Sequence, residues 1–131
     1  MSQQDVTTMR SAYEAFNRGD IPGALSAFDP QIEWQEPGGG RAPRGIFQGS
    51  ESVGNDVFAT VPAHFDEFRA DPDQFIDAGD HVVVVGHFRG RAKSGQQFDA
   101  PFAHVWAMRT GKAVRFHNYV QADAWARAWG G

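Results

Sequence analysis

Phe98-Asp99-Ala100-Pro101-Phe102-Ala103-His104-Val105-Trp106-Ala107-Met108 is the stretch that decides the fold. Every second residue from Phe98 to Met108 is apolar except His104. A period of two marks a strand with one face against a core. A titratable ring in that face is either a core histidine with its hydrogen bonds satisfied or a functional group lining a cavity.

Segments 64–69, 74–77, 81–92, 97–109 and 113–121 read as strands, separated by Asp71-Pro72-Asp73, Ala78-Gly79-Asp80 and Ser94-Gly95 among others. Lys93-Ser94-Gly95 and Arg109-Thr110-Gly111 each fit a three-residue hairpin loop with glycine in the left-handed third position. This register sets His104 opposite Val84 on one side and Phe116 on the other. One face then carries Val82, Val84, Phe88, Phe102, His104, Trp106, Val114, Phe116, Asn118 and Val120. The other carries His81, Val83, Val85, His87, Arg89, Gln97, Asp99, Arg115, His117 and Tyr119. A slip of one residue would pair each apolar set with a polar one, so the pattern supports the register. His104 and Asn118 become the polar pair of the buried face, on adjacent strands.

Upstream, residues 3–18 read as a helix, with Val6, Met9, Tyr13 and Phe16 on one side. A second helix over 21–28 has Asp20 as its cap and Pro22 in its first turn. A third spans 51–61, with Val53, Val57 and Val61 in line, Phe58 beside them and Pro62 closing it. Between them, 31–36 reads as a strand with Ile32, Trp34 and Glu36 on one face. Residues 37–43 form a connector without the glycine spacing of a phosphate cradle. Helices followed by a run of strands predict an α+β fold, and a chain of 131 residues has the size of one domain, 1–131. The helices cover the apolar face and bring Tyr13 and Phe16 over it.

Composition narrows the function classes. Twelve Lys and Arg are scattered without a basic run, which argues against nucleic-acid binding. There is no cysteine, so no disulfide and no thiol nucleophile. No apolar stretch reaches membrane-spanning length, and the first residues lack the charged and apolar regions of a secretory signal, so a cytoplasmic protein is expected. The five histidines (64, 81, 87, 104 and 117) make no HxH or HxxxH pair, so neither a metal nor another cofactor is expected.

Asn17-Arg18-Gly19-Asp20 at a helix end, the strand with Trp34, the Glu36-Pro37 pair and the curved sheet together resemble the nuclear transport factor 2-like superfamily. Phe102-Ala103-His104-Val105-Trp106, Gly111-Lys112 and Val114-Arg115-Phe116 look most like its SnoaL-like, ketosteroid isomerase-like members. The resemblance runs from about residue 4 to 128. It implies a cone: three N-terminal helices packed on a strongly curved, mostly antiparallel sheet that encloses a pocket. In ketosteroid isomerases a carboxylate directly before a proline on the first strand is the general base, which implies that role for Glu36. His104 falls near the position of the isomerase oxyanion acid, and Tyr13 within a residue of its tyrosine. In the SnoaL-like group an Asp-Thr pair often follows the last strand. Gln121-Ala122 stands there in this chain, with Asp123 two residues late.

The candidate catalytic residues are therefore Glu36, His104 and Asn118, with Asn118 orienting His104. Tyr13, Phe16, Trp34, Val84, Phe102, Trp106 and Phe116 are candidates to line a substrate pocket, although the same residue types equally describe a core. The expected ligand is a small apolar molecule carrying a carbonyl, handled by an isomerase- or cyclase-like enzyme. A non-catalytic binding or dimerisation module stands as the alternative. The semi-apolar outer sheet face, with Val83, Val85, Val105 and Tyr119, is the expected surface for a two-fold homodimer.

Overall fold

The computed structural model describes residues 2–130; Met1 and Gly131 lie outside the described residues. Helix α1 (Ser2–Asn17) and the short α2 (Ile21–Leu25) lead into strand β1 (Phe28–Pro37) and strand β2 (Arg44–Gln48). A continuous helical segment follows. It comprises α3 (Ser50–Ser52), a π-helical turn (Val53–Val57), a 3-10 turn (Phe58–Thr60) and α4 (Val61–His64). Then come β3 (Phe65–Asp77), β4 (His81–Ala92), β5 (Gln97–Arg109), β6 (Lys112–Val120) and a final helix, α5 (Ala122–Trp129). The six strands form one sheet in the order β2-β1-β6-β5-β4-β3. All pairs are antiparallel except β1 with β6. This is the α+β cone expected from the sequence, with its third helical segment placed between β2 and β3.

The β4–β5 hairpin has the expected register, with Val84 facing His104. The β5–β6 hairpin does not. Thr110 (φ 53°) and Gly111 (φ 79°) form a two-residue turn, closed by Arg109 and Lys112. Such a left-handed pair matches the twist of the flanking strands better than the assumed three-residue loop. The shorter turn alone would invert the faces of β6. A bulge restores them: Ala107 pairs with Arg115 and Met108 with Ala113, which leaves Val114 as the extra residue. Ala113, not Val114, therefore occupies the inner face. His104 faces Asn118 directly and Trp106 faces Phe116.

Three other boundaries differ from the sequence reading. The second helix ends at Leu25, and Phe28 already belongs to β1, where it packs on Trp34. Asp71-Pro72-Asp73 does not break the chain but forms a bulge in one long β3, between the Pro72–Gly86 and Gln74–Val85 pairs. Proline is tolerated there because β3 is an edge strand and the bulge needs no ladder donor from it. Pro62 sits in the first turn of α4 and does not end the helical segment. Asp20 caps α2 as expected, its carboxylate accepting from the Gly23 N–H at 2.9 Å.

Asn17, at the end of α1, fixes that helix to the sheet. Its Nδ2 donates to the Ala70 carbonyl at 2.8 Å, and its Oδ1 accepts from the Ala70 N–H at 2.9 Å. At the wide end, the loop after β1 packs on α5. A Cβ on Gly40 (φ 56°) would lie 2.3 Å from the Gly130 carbonyl oxygen and 2.6 Å from that of Ala126, so only glycine fits. The outer face of β3–β5 carries an ion-pair network. Asp99 meets His87 at 2.6 Å and Arg89 at 3.1 Å, while Asp71 meets Arg69 at 3.2 Å.

Candidate functional site

The concave face of the sheet encloses an apolar cavity. Ala12, Tyr13 and Phe16 of α1 and Ala24 of α2 contribute to it. Phe28, Trp34 and Glu36 of β1, Pro43, and Val57, Phe58 and Val61 of the helical segment form further walls. The remaining sheet wall is Phe68, Ala70, Phe88, His104, Trp106 and Phe116, and α5 supplies Trp125 and Trp129. The cavity volume is about 80 Å³. Apart from Tyr13, Glu36 and His104, no lining side chain titrates.

Glu36 reaches this cavity because β1 alternates: Ile32, Trp34 and Glu36 all turn inward and are buried. Its carboxylate accepts two hydrogen bonds, from Trp34 Nε1 at 2.7 Å and from Asn118 Nδ2 at 3.0 Å. Neither donor is charged. Burial pushes the Glu36 carboxyl up to about 7, against the smaller opposing pull of the Asn118 and Trp34 hydrogen bonds. The group is thus poised to hold or release a proton near neutrality, the property a general base needs.

His104 is buried between aromatic rings, with Phe102 stacked on it at 3.7 Å and 5°. Burial holds its ring down to about 3, with Asn118 acting in the opposite sense, so the imidazole is neutral. Its Nδ1 lies 2.6 Å from the Tyr13 hydroxyl, which also accepts from Trp106 Nε1 at 3.0 Å. Burial raises the Tyr13 pKa, and the hydroxyl stays protonated.

These bonds determine the tautomer. Asn118 gives its Nδ2 to Glu36, which leaves Asn118 Oδ1 on the residue directly opposite His104. Asn118 Oδ1 and His104 Nε2 are both buried, and neither has a partner of good hydrogen-bond geometry. Two lone pairs facing one another would repel, so the proton belongs on Nε2 and Tyr13 donates to Nδ1. Trp106, Tyr13, His104, Asn118, Glu36 and Trp34 form one polar seam through an otherwise apolar interior.

Of the residues named from sequence, Tyr13, Phe16, Trp34, Glu36, His104, Trp106 and Phe116 line the cavity. Val84, Phe102 and Asn118 are buried but do not line it. Val84 sits beside His104 on the neighbouring strand, Phe102 covers the His104 ring, and Asn118 donates to Glu36. Asp123 is exposed in the first turn of α5, and the preceding Gln121 caps that helix by accepting from the Ala124 N–H at 2.7 Å. The sequence reading missed Trp125 and Trp129. Their spacing of four residues between a Gln cap and a terminal Gly130 was an available helix signal. No cluster of three potential metal ligands occurs among the described residues, nor is any described helix long and apolar enough to cross a membrane.

The sequence profile of the SnoaL-like domain matches residues 9–116. The chain belongs to the SnoaL-like family. An NTF2-like protein of unknown function from Burkholderia pseudomallei K96243 is 32% identical and superimposes with a TM-score of 0.85 over 98% of both chains. An NTF2-like protein from Burkholderia thailandensis E264 is 28% identical, with a TM-score of 0.87 over 97% of this SnoaL-like chain and 98% of that one. TerC, crystallised with polyporic acid, is 27% identical, with a TM-score of 0.81 over 95% of this chain and 97% of its own. No curated protein matches the sequence.

Proposed function

We propose that this SnoaL-like protein binds a small, largely apolar carbonyl compound in the cavity and that Glu36 removes an activated proton from it. The observation that carries this reading is a single buried carboxylate in an apolar cavity, held by two neutral donors and titrating near neutrality. A base in such a place is protonated and deprotonated at little cost within one turnover. Neutral His104 lines the cavity and is the group assigned to the developing oxyanion, a role for which its Nε2 proton has to turn from Asn118 Oδ1 to the substrate. Isomerisation and aldol-type cyclisation both fit. Epoxide hydration fits less well, since no arginine and no second carboxylate line the cavity. The TerC structure with polyporic acid supports a ligand-binding role for the shared cone. In the same reading a second copy docks on the outer sheet face, where Tyr119 is half exposed and stacks on His117.

One observation favours a second reading. Tyr13 and His104 already bond to one another. A site whose donors are committed in this way suits a ligand carrier that performs no chemistry.

Proton exchange decides between them. Wild type and Glu36→Gln are incubated in D2O with a panel of enolisable and β,γ-unsaturated ketones, and deuterium incorporation is followed. Exchange in wild type that is lost in the variant establishes the base. Ketones that bind without exchanging establish the carrier.

A further inference from the structure

The chain carries 16 Asp and Glu against 12 Lys and Arg, yet one hollow on its surface is lined by basic groups alone. It has a volume of about 280 Å³ and shares Trp129 with the cavity as a wall. Its titratable residues are Arg41, His64, Lys93 and Arg127, and no carboxylate lines it among the described residues. Phe98 and Trp129 add apolar surface.

Four separate segments bring these groups together, each through a contact of its own. The loop after β1 lies so close to the last turn of α5 that only glycine fits at position 40, against the carbonyls of Ala126 and Gly130. Arg41 and Arg127 each follow a residue of that contact and so stand on adjoining backbones. The Lys93 N–H donates to the His64 carbonyl at 3.0 Å, which ties the β4–β5 turn to the end of α4. His64 in turn packs on the Trp129 ring, with 5.2 Å between centroids.

Gathering like charges costs free energy unless something offsets it. Arg127 alone is accounted for by the C-terminal end of α5, where a cation meets the helix dipole. Arg41 and Lys93 are not on that helix. Lys93 meets Asp66 at 3.1 Å, an exposed pair that contributes little, and Asp66 stands outside the lining. Neither Arg41 nor Arg127 has a hydrogen bond or ion pair with a described residue. Two guanidinium groups with unused donors, beside aromatic rings, suit a carboxylate or phosphate carried on an apolar body.

We infer that this hollow binds a small organic oxyanion, a carboxylate or phosphate on an apolar body, with Arg41 and Arg127 taking the anion and Phe98 and Trp129 the apolar part. The site is distinct from the Glu36 cavity, and the inference holds whether or not Glu36 acts as a base.

The test titrates benzoate and phenyl phosphate into wild type. Benzamide serves as the neutral probe of similar shape and acetate as the anion without a ring. The arginine Nε–H groups and the Trp129 indole N–H are followed by 1H–15N NMR. The expected result is saturable binding of benzoate or phenyl phosphate that moves the Arg41, Arg127 and Trp129 signals together. Its affinity exceeds that of benzamide and of acetate by about three- to tenfold. Tighter binding of phenyl phosphate assigns the site to phosphates, and tighter binding of benzoate to carboxylates. Arg41→Gln and Arg127→Gln, both at exposed positions, each weaken it by a similar factor, while Arg109→Gln at the β5–β6 turn leaves it unchanged. The wild-type titration needs no variant to fold. Absence of a saturable shift at Arg41 and Arg127 overturns the inference. So does equal affinity for benzamide or acetate, and so does an equal loss in Arg109→Gln, which would mark general attraction of anions to surface arginines.

Discussion

Replacing Glu36 by glutamine should remove a loss of stability that the wild type suffers as the pH rises through neutrality. The folded-state pKa of Glu36 is raised from 4.5 to about 7. Between those values the folded protein holds a proton that the unfolded chain has released, so stability falls as pH rises through the window. A displacement of that size corresponds to about 3 kcal/mol, lost in full above pH 7. His104 acts in the opposite direction. Its pKa falls from 6.5 to about 3, so the unfolded chain binds the extra proton and stability rises with pH across that range. In the wild type these two slopes oppose each other between pH 4.5 and 6.5. Glu36→Gln removes one of them. Urea unfolding of both proteins at pH 5 and pH 8 should show the variant gaining roughly 2–3 kcal/mol on the wild type between the two conditions. All other ionisable groups are common to the pair and cancel in the difference. A stability difference that stays the same at both pH values, within about 0.5 kcal/mol, would falsify the claim that the cavity desolvates this carboxylate.

Three further outcomes follow from the seam and its surroundings. Trp34→Phe removes an N–H held 2.7 Å from the carboxylate. The Glu36 pKa should then climb by about one further unit, read from the 13C shift of its carboxyl carbon. Tyr13→Phe strands two buried partners at once, Trp106 Nε1 and His104 Nδ1. It should cost about 2–4 kcal/mol in chemical denaturation, and a cost under 1 would show that the hydroxyl is dispensable. Gly40→Ala puts a methyl 2.3 Å from the Gly130 carbonyl oxygen at a left-handed position. The loop and α5 must separate, costing about 2 kcal/mol and speeding amide hydrogen exchange in α5 ahead of the sheet.

The sheet was legible because its inner face is written with a period of two. Val82, Val84, His104 and Trp106 alternate with polar or half-exposed neighbours, and the burial follows that alternation. Glu36 was legible by the same rule from Trp34. Strand β2 was not: its Ile46 is 62% exposed and its few residues show no buried face to detect. The Asp71-Pro72-Asp73 bulge carries the composition of a turn, and only its position on an edge strand lets it remain in the ladder. The hydrogen-bond partners within the site were illegible for a different reason. Periodicity tells which face a side chain takes but not which atom it meets. The meeting of Tyr13 with His104 and of Asn118 with Glu36 depends on how far the sheet curls and how α1 lies over it.

The bulge at Val114 gives β6 one place where chain length is free. On the turn side of it Met108 meets Ala113, and on the site side Ala107 meets Arg115. Deleting Val114 would make the ladder regular and leave every pair beyond it as it stands, including His104 with Asn118. Deleting a residue between Arg115 and Asn118 would instead send Asn118 to the outer face and take the Glu36 partner out of the cavity. Gain or loss of a residue in this hairpin is therefore tolerated on one side of Val114 and ruinous on the other, so that the tip can vary while the seam keeps its alignment.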